Sequence, residues 1–362
     1  MNQTTLLRLS RNPLYWLILL APVAGVLYAR QSQPVWVLMV SALAMIPMAG
    51  LIGEGTEALA EYAGPRVGGL LNATLGNAAE LIITIVAIQE GLLELVKASI
   101  TGSILGNLLM VLGLSMLLGG LRHGTQEFDR RKASGDSLLL VLAVTALAIP
   151  SLFVQTGHGI QGDQKVEILS LGVAALMIVL YALGTLYGLR GRTSPLTRPS
   201  AESVMHERRW TLRGALVVLG IATLGVVWMS EILVRQVEPV VASLGVSEFF
   251  LGVILVPLIG NIAEHLVAVS VALKNHMTLS VEIAVGSSLQ VALFVVPALV
   301  FLSLVMGHPL TLVFNPFELI ALIGAVLITA LACSDGESNW LEGAELSALY
   351  LIIALGFFFL PS

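Results

Sequence analysis

The sequence predicts an all-α integral membrane protein. Eleven transmembrane helices form two inverted five-helix repeats behind one extra N-terminal helix. Three observations predict this. Of 362 residues, 57% are hydrophobic and only 11% are Asp, Glu, Lys or Arg, against roughly 25% charged in an ordinary soluble domain. Nine long stretches carry no charge at all, and one polar motif recurs 184 positions further along. So little charge cannot cover a soluble surface, which excludes a soluble enzyme, a nucleic-acid binder and a disordered chain. The single cysteine, Cys333, excludes a disulfide scaffold.

The elements follow in chain order. The uncharged stretch Pro13–Ala29 predicts α1, and without a small-residue cleavage site it reads as a retained helix rather than a signal peptide. Val35–Gly53 predicts α2. Val67–Gln89 predicts α3, interrupted only by Glu80. Ala98–Leu121, Ser137–Gly162, Ile168–Leu189 and Gly214–Ser230, all uncharged, predict α4 to α7. Phe249–Leu273 predicts α8, interrupted by Glu264 and His265. Ile283–Met306, Leu319–Ser334 and Leu346–Ser362 predict α9 to α11. Pro257 and Pro297 predict kinks in α8 and α9. Transmembrane strands would alternate polar and apolar residues over about 10 positions; these stretches do not, so the bundle is helical.

Basic residues set the orientation. With the N-terminus in the cytoplasm, 14 of the 18 Lys and Arg flank cytosolic segments, and only Arg30, Lys97, Lys165 and Arg235 fall outside. The C-terminus is then external. The polar segment from Arg190 to Arg213 is a cytosolic loop at the midpoint of the chain. The expected units are residues 1–32 (extra helix), 33–190 (first repeat, α2–α6), 191–209 (linker) and 210–362 (second repeat, α7–α11).

Gly76-Asn77-Ala78-Ala79-Glu80 in α3 recurs as Gly260-Asn261-Ile262-Ala263-Glu264 in α8. The same shift, without a gap, places Gly102-Ser103 on Gly286-Ser287, Leu105 on Leu289 and Leu109 on Leu293. Five spans separate α3 from α8. Five is odd, so the copies cross the membrane in opposite directions. Inverted repeats are the architecture of many secondary transporters, with the substrate site near the midplane between repeats.

Glu80 and Glu264 are the acids deep inside spans. A charge at the bilayer centre costs roughly 2.5–3.5 kcal/mol on insertion scales, and that cost at two symmetric positions calls for a proton, a cation or both. Asn77 and Asn261 stand three residues earlier, on the same helix face. They are read as cation ligands, as caps for opened backbone beside Gly76 and Gly260, or as both. Ser103, Ser287 and Gln290 offer neutral oxygens from the following helix, although small serines also serve close packing. An all-oxygen set suits a hard cation such as Ca2+. His265 points about 100° away from Glu264, leaving proton relay and helix packing both open. Glu54, Glu57 and Glu61 form either a cation-attracting vestibule or a solvated helix end. Tyr15, Trp16, Trp36, Trp210 and Trp340 are expected in the interfacial belts, and the loop 335–340 in a surface turn.

Two sets of residues carry a resemblance. One is Gly76-Asn77-Ala78-Ala79-Glu80 with Lys97-Ala98-Ser99-Ile100-Thr101-Gly102-Ser103. The other is Gly260-Asn261-Ile262-Ala263-Glu264-His265 with Gly286-Ser287-Ser288-Leu289-Gln290. Together they resemble the two alpha-repeats of Ca2+/H+ antiporters, the CAX branch of the cation/Ca2+ exchanger superfamily. The resemblance covers nearly all of the chain beyond α1. It implies eleven helices, Glu80 and Glu264 binding Ca2+ and protons in alternation, and Asn77, Asn261, Ser103, Ser287 and Gln290 as supporting ligands. Ca2+ and H+ would then be cargo, with no cofactor. Some relatives carry an acidic helix in the central loop; here that loop is net basic.

The bilayer is the expected partner, and the oligomeric state stays open. The short tails suggest a prokaryotic plasma membrane, with a vacuolar membrane as the alternative. A Na+-coupled Ca2+ exchanger or a broader cation/H+ antiporter is the second reading. A hydrolase reading lacks a deep Asp and a Gly-x-Ser-x-Gly motif. A channel would pass ions without a counter-ion.

Overall fold

In the computed structural model, which describes residues 13–157, 163–190 and 210–360, eleven apolar helices follow one another. α1 (Pro13–Ala29) opens as a 3-10 helix. α2 (Pro34–Ala63), α4 (Leu93–His123), α5 (Arg130–Gln155) and α6 (Gln164–Arg190) are long enough to span a bilayer, as are α7 (Leu212–Leu244), α8 (Glu248–Ala272), α9 (Met277–Val305) and α11 (Trp340–Phe359). α3 (Ala78–Gln89) and α10 (Pro316–Ala332) are shorter. The linker 191–209 and the outermost termini lie outside the described residues.

Local chemistry starts and stops the helices. Asp129, Thr211 and Ser247 cap α5, α7 and α8 by accepting from backbone amides one turn on. α10 and α11 begin with full capping boxes, Asn315 with Glu318 and Asn339 with Glu342. α7 ends at Gly245, whose left-handed φ of 66° a side chain would oppose.

Helical pairing continues from Pro34 to Leu75, but the backbone is not straight. A Cβ on Gly68 would come within 2.6 Å of the Ala60 carbonyl oxygen, whereas eight residues of straight helix span about 12 Å. The chain therefore doubles back between Ala60 and Gly68, where Pro65 stands. Residues 68–75 then form the first part of the third span, the break at Gly76-Asn77 follows, and α3 completes it. The second repeat differs, because α8 runs through Gly260-Asn261 without a break.

Three π-helical stretches interrupt the spans: Gly106–Val111 in α4, Leu251–Leu255 in α8 and Val291–Val295 in α9. The 184-residue shift lays the first upon the third. The internal repeat thus extends to backbone conformation. Pro257 and Pro297 each follow a π stretch by two residues. Their kinks resolve in this way: a widened turn moves the carbonyl that the proline ring would strike.

Contacts at the helix ends sort the chain into two faces. On one, β1 (Gln126–Glu127) pairs antiparallel with β2 (Glu337–Ser338), Gln126 reaches the Ala272 carbonyl, and Tyr62 donates to the Trp210 carbonyl. On the other, Arg235 bonds Glu90, the Leu95 amide donates to Glu248, Lys97 donates to the Val313 carbonyl, and Ser247 donates to the Phe357 carbonyl. Each contact joins segments that eleven alternating crossings put on the same side. The first, flanked by Arg130, Lys132 and Lys274, is the basic face. α4 and α9 are the most enclosed spans, and α6 and α11 the most exposed to the surroundings.

One expectation is corrected here. Trp210 is not an exposed belt residue; it is buried with Ala58 and Ala215. Trp16, Trp36 and Trp340 are exposed. The 335–340 loop does lie at the surface, with Asp335 and Glu337 exposed, and local contacts tie it down. Asp335 caps Glu337, which enters β2, and Gly336 closes against Phe128 and Arg130.

Candidate functional site

The break at Gly76-Asn77 leaves Asn77 as the N-cap of α3 and puts Glu80 in its first turn. Glu80 is 1% exposed. It lies against the second repeat: a Cβ on Gly260 would sit 3.4 Å from the Glu80 Cβ. Glycine at 260 therefore allows α8 to approach the carboxylate stem closely. Asn261 Nδ2 donates a long hydrogen bond, 3.4 Å, to Glu80 Oε2. No protein group reaches Glu80 Oε1 or Asn261 Oδ1, both fully buried.

The second half is linked the opposite way. Asn77 Nδ2 donates to Gln290 Oε1 at 3.1 Å. Ser287 Oγ stands 3.0 Å from Glu264 Oε2 and 3.5 Å from Asn77 Oδ1, a donor shared between them. Glu264 is half-buried, unlike Glu80. Both asparagines thus bond across the repeat interface, each to a helix of the other repeat. Ser103 is buried in α4, and its hydroxyl has no protein partner.

All seven residues singled out from the sequence are described. Six are joined by this hydrogen-bond web or by its immediate packing, and Ser103 stands on α4 four residues before Asn107. Glu57 is exposed toward the basic end of α2. His265 is buried, and its Nε2 lies 3.1 Å from Asn107 Oδ1. Asn107, in the π stretch of α4, was missed by sequence reasoning. Its repeat counterpart is Val291, so no recurrence marks it; a lone amide in an apolar span was the only signal.

Three further buried charges were also missed, because each stands near a span end where solvent is the default expectation. Glu318 accepts from Thr101 and from the Asn315 amide. Lys97 bonds Glu94 and the Val313 carbonyl. Asp136 lies beside the Lys132–Glu282 ion pair.

Among the described residues, no three His, Cys, Asp or Glu side chains are placed to hold a metal ion together. Any cation at this web would instead rest on two carboxylates and neutral oxygens. The unpartnered Glu80 Oε1, Asn261 Oδ1 and Ser103 Oγ are hard donors of that kind.

Known proteins resemble this chain in sequence and in fold. The chain is 42% identical to a Ca(2+)/H(+) antiporter of Aphanothece halophytica over 370 aligned positions, 98% of each chain. It is 45% identical to the Ca(2+)/H(+) antiporter ChaA of Bacillus subtilis, covering 87% of this chain and 90% of that one. The structure of native YfkE superposes with a TM-score of 0.83 at 40% identity, covering 96% of this chain and all of that one. An H+/Ca2+ exchanger CAX structure shares the fold, with a TM-score of 0.71 at 16% identity. Residues 33–189 and 214–359 match the sodium/calcium exchanger protein family, one segment for each half of the helical bundle, and this multi-pass membrane transporter belongs to that family.

Proposed function

We propose that the protein is a secondary antiporter exchanging Ca2+ for H+ by alternating access, with Glu80 and Glu264 as the shared carrier groups. The observation that carries this reading is the crossed web: a fully buried carboxylate from one repeat rests on Gly260-Asn261 of the other. The Ca2+/H+ antiporters of Aphanothece and Bacillus, at 42% and 45% identity, support the choice of ions. Glu80 and Glu264 supply the charge. Asn261, Asn77, Ser103, Ser287 and Gln290 supply or orient neutral oxygens.

Electrostatics then accounts for exchange. Two carboxylates holding one Ca2+ carry no net charge, and neither do two carboxylates holding two protons. Either loaded site can be enclosed in a low-dielectric interior. The empty, doubly negative site cannot be enclosed without a large desolvation cost. Release of one ion therefore requires capture of the other, and the minimal exchange is one Ca2+ for two protons. The basic face is cytosolic in this reading, from the asymmetry of Lys and Arg.

The test is Ca2+ uptake into proteoliposomes driven by an imposed pH gradient and, separately, by a Na+ gradient. The pH gradient alone should drive uptake. Glu80→Gln and Glu264→Gln keep side-chain volume but lose the charge, so each should abolish uptake while the protein still inserts. Near-normal exchange by either variant, or uptake driven by Na+ alone, refutes the two-carboxylate proton antiport.

A further inference from the structure

The buried polar side chains of α4 include Ser99, Ser103, Asn107 and Ser115. No protein group reaches Ser99 Oγ, Ser103 Oγ, Asn107 Nδ2 or Ser115 Oγ. Buried polar groups nearly always find a partner, so four orphans on one helix require an explanation.

Helix geometry puts them on one stripe. At about 100° per residue, the steps from Ser99 to Ser103 and on to Asn107 each drift by roughly 40°. Eight more residues of plain α-helix would turn Ser115 a further 80° or so away. The π stretch Gly106–Val111 lies within that interval and absorbs about one extra residue. Ser115 thereby returns to within about 20° of Asn107. The stripe is about 24 Å long, most of a hydrocarbon core of about 30 Å.

α8 borders the stripe. A Cβ on Gly102 would come within 2.0 Å of the Val253 carbonyl oxygen, and one on Gly119 within 3.2 Å of the Ala272 carbonyl oxygen. Between these two close approaches His265 reaches across to Asn107 Oδ1, and His265 Nδ1 is a fifth buried atom without a protein partner. Toward the basic face, Val111, Ala268 and Ile283 form a separate buried apolar cluster between Asn107 and Ser115.

The first two intervals along the stripe are about 6 Å. That distance is spanned by one molecule making two hydrogen bonds of about 2.8 Å. Asn107 Nδ2 can only donate, whereas the serine hydroxyls can do either, and water, which both donates and accepts, can meet them all. In the second repeat the equivalent positions are Ile283, Ser287, Val291 and Leu299, so only one repeat carries the stripe.

We propose that α4 holds a single-file chain of water that conducts protons between the central carboxylates and the membrane face opposite the basic one, while a plug closes its continuation toward the basic face. Asn107 and His265 hold its junction with the site, and Val111, Ala268 and Ile283 form its hydrophobic plug. Each water accepts a proton on one side and releases one on the other, so the chain is left chemically unchanged. The inference rests on the exchange reading above.

The test compares wild type, Asn107→Leu, Asn107→Ser, Val111→Ser and Glu80→Gln in proteoliposomes loaded with a pH dye and a Ca2+ dye. Asn107→Leu should slow exchange at least tenfold while leaving the apparent Ca2+ Km within twofold. Asn107→Ser keeps a donor and an acceptor and should recover most of the rate, which a purely structural asparagine does not predict. Val111→Ser should wet the plug and give a proton leak without Ca2+. Wild-type exchange that is lost in Glu80→Gln but unchanged in Asn107→Leu overturns the water chain alone. Absence of pH-driven uptake in wild type overturns both readings. Should Asn107→Leu fail to assemble, Val111→Ser decides, and a proton-tight Val111→Ser overturns the proposal.

Discussion

At the residue scale, Ser287 and Ser103 are related by the repeat, yet the structure separates them. The Ser287 hydroxyl is 3.0 Å from Glu264 Oε2, while Ser103 Oγ has no protein partner. A hydrogen bond to a charged group is worth about 1.5–3 kcal/mol, or roughly 10- to 100-fold in an equilibrium constant. Ser287→Ala should therefore raise the apparent Ca2+ Km by about tenfold or more, and Ser103→Ala by less. Neither change removes a titrating group, so proton dependence should persist in both. Initial uptake rates against Ca2+ concentration check this; equal effects would show that the Ser287–Glu264 bond contributes nothing. The two glutamates were legible because an acid repeated within apolar spans has few structural excuses. Asn107 was not, since Val291 occupies its counterpart position. The buried Glu318, Lys97 and Asp136 were not either, because a charge at a span end looks solvated until tertiary contacts enclose it.

At the scale of elements, the same motif has two backbone outcomes. Gly76-Asn77 breaks its helix and Gly260-Asn261 does not, although the intervening apolar residues are similar. Helix propensity is a weak prior that tertiary context overrides, so the sequence offered opened backbone beside both glycines but not that only Gly76 would open. Likewise Pro257 and Pro297 announce disturbed helices, whereas no proline follows the π stretch of α4. Gly102 and Gly286 make this asymmetry measurable. They are counterparts in the repeat, but a Cβ on Gly102 would meet the Val253 backbone at 2.0 Å, while nothing lies within 4 Å of one on Gly286. Gly102→Ala must push α4 and α8 apart. Overpacking of this kind costs about 1–3 kcal/mol, and rigid backbone on the far side puts it at the upper end. Thermal unfolding in detergent should fall by several degrees for Gly102→Ala and stay near wild type for Gly286→Ala. Equal melting temperatures would refute the close α4–α8 approach.

At the scale of the whole molecule, the helix-end contacts require β1 and β2 to share a face opposite the α9–α10 connection. Cys333, the one native thiol, is buried, so introduced cysteines should be reported above a low background. Glu127→Cys and Glu337→Cys should label with a membrane-impermeant reagent from the same side, the cytosolic one in our reading, and His308→Cys from the other. Labelling of Glu127→Cys and His308→Cys together would break the eleven-crossing count. The two-faced architecture also constrains how protons affect transport. If Ca2+ and protons occupy the same pair of carboxylates, each face presents one site that either ion can fill. Acid on the Ca2+-loading side should then raise the apparent Ca2+ Km by competition, while the maximal rate at saturating Ca2+ changes little through that competition. Because the carboxylates interact, the profile belongs to the pair and not to one residue. Acid on the opposite side should act differently: it supplies the counter-ion and should speed turnover without raising Km on the loading side. Initial uptake measured against Ca2+ at several pH values, varied one side at a time and at fixed membrane potential, separates the two effects. A loading-side Km that is constant between about pH 6 and 8 would place protons and Ca2+ on different groups, and the shared-carboxylate mechanism would have to be abandoned.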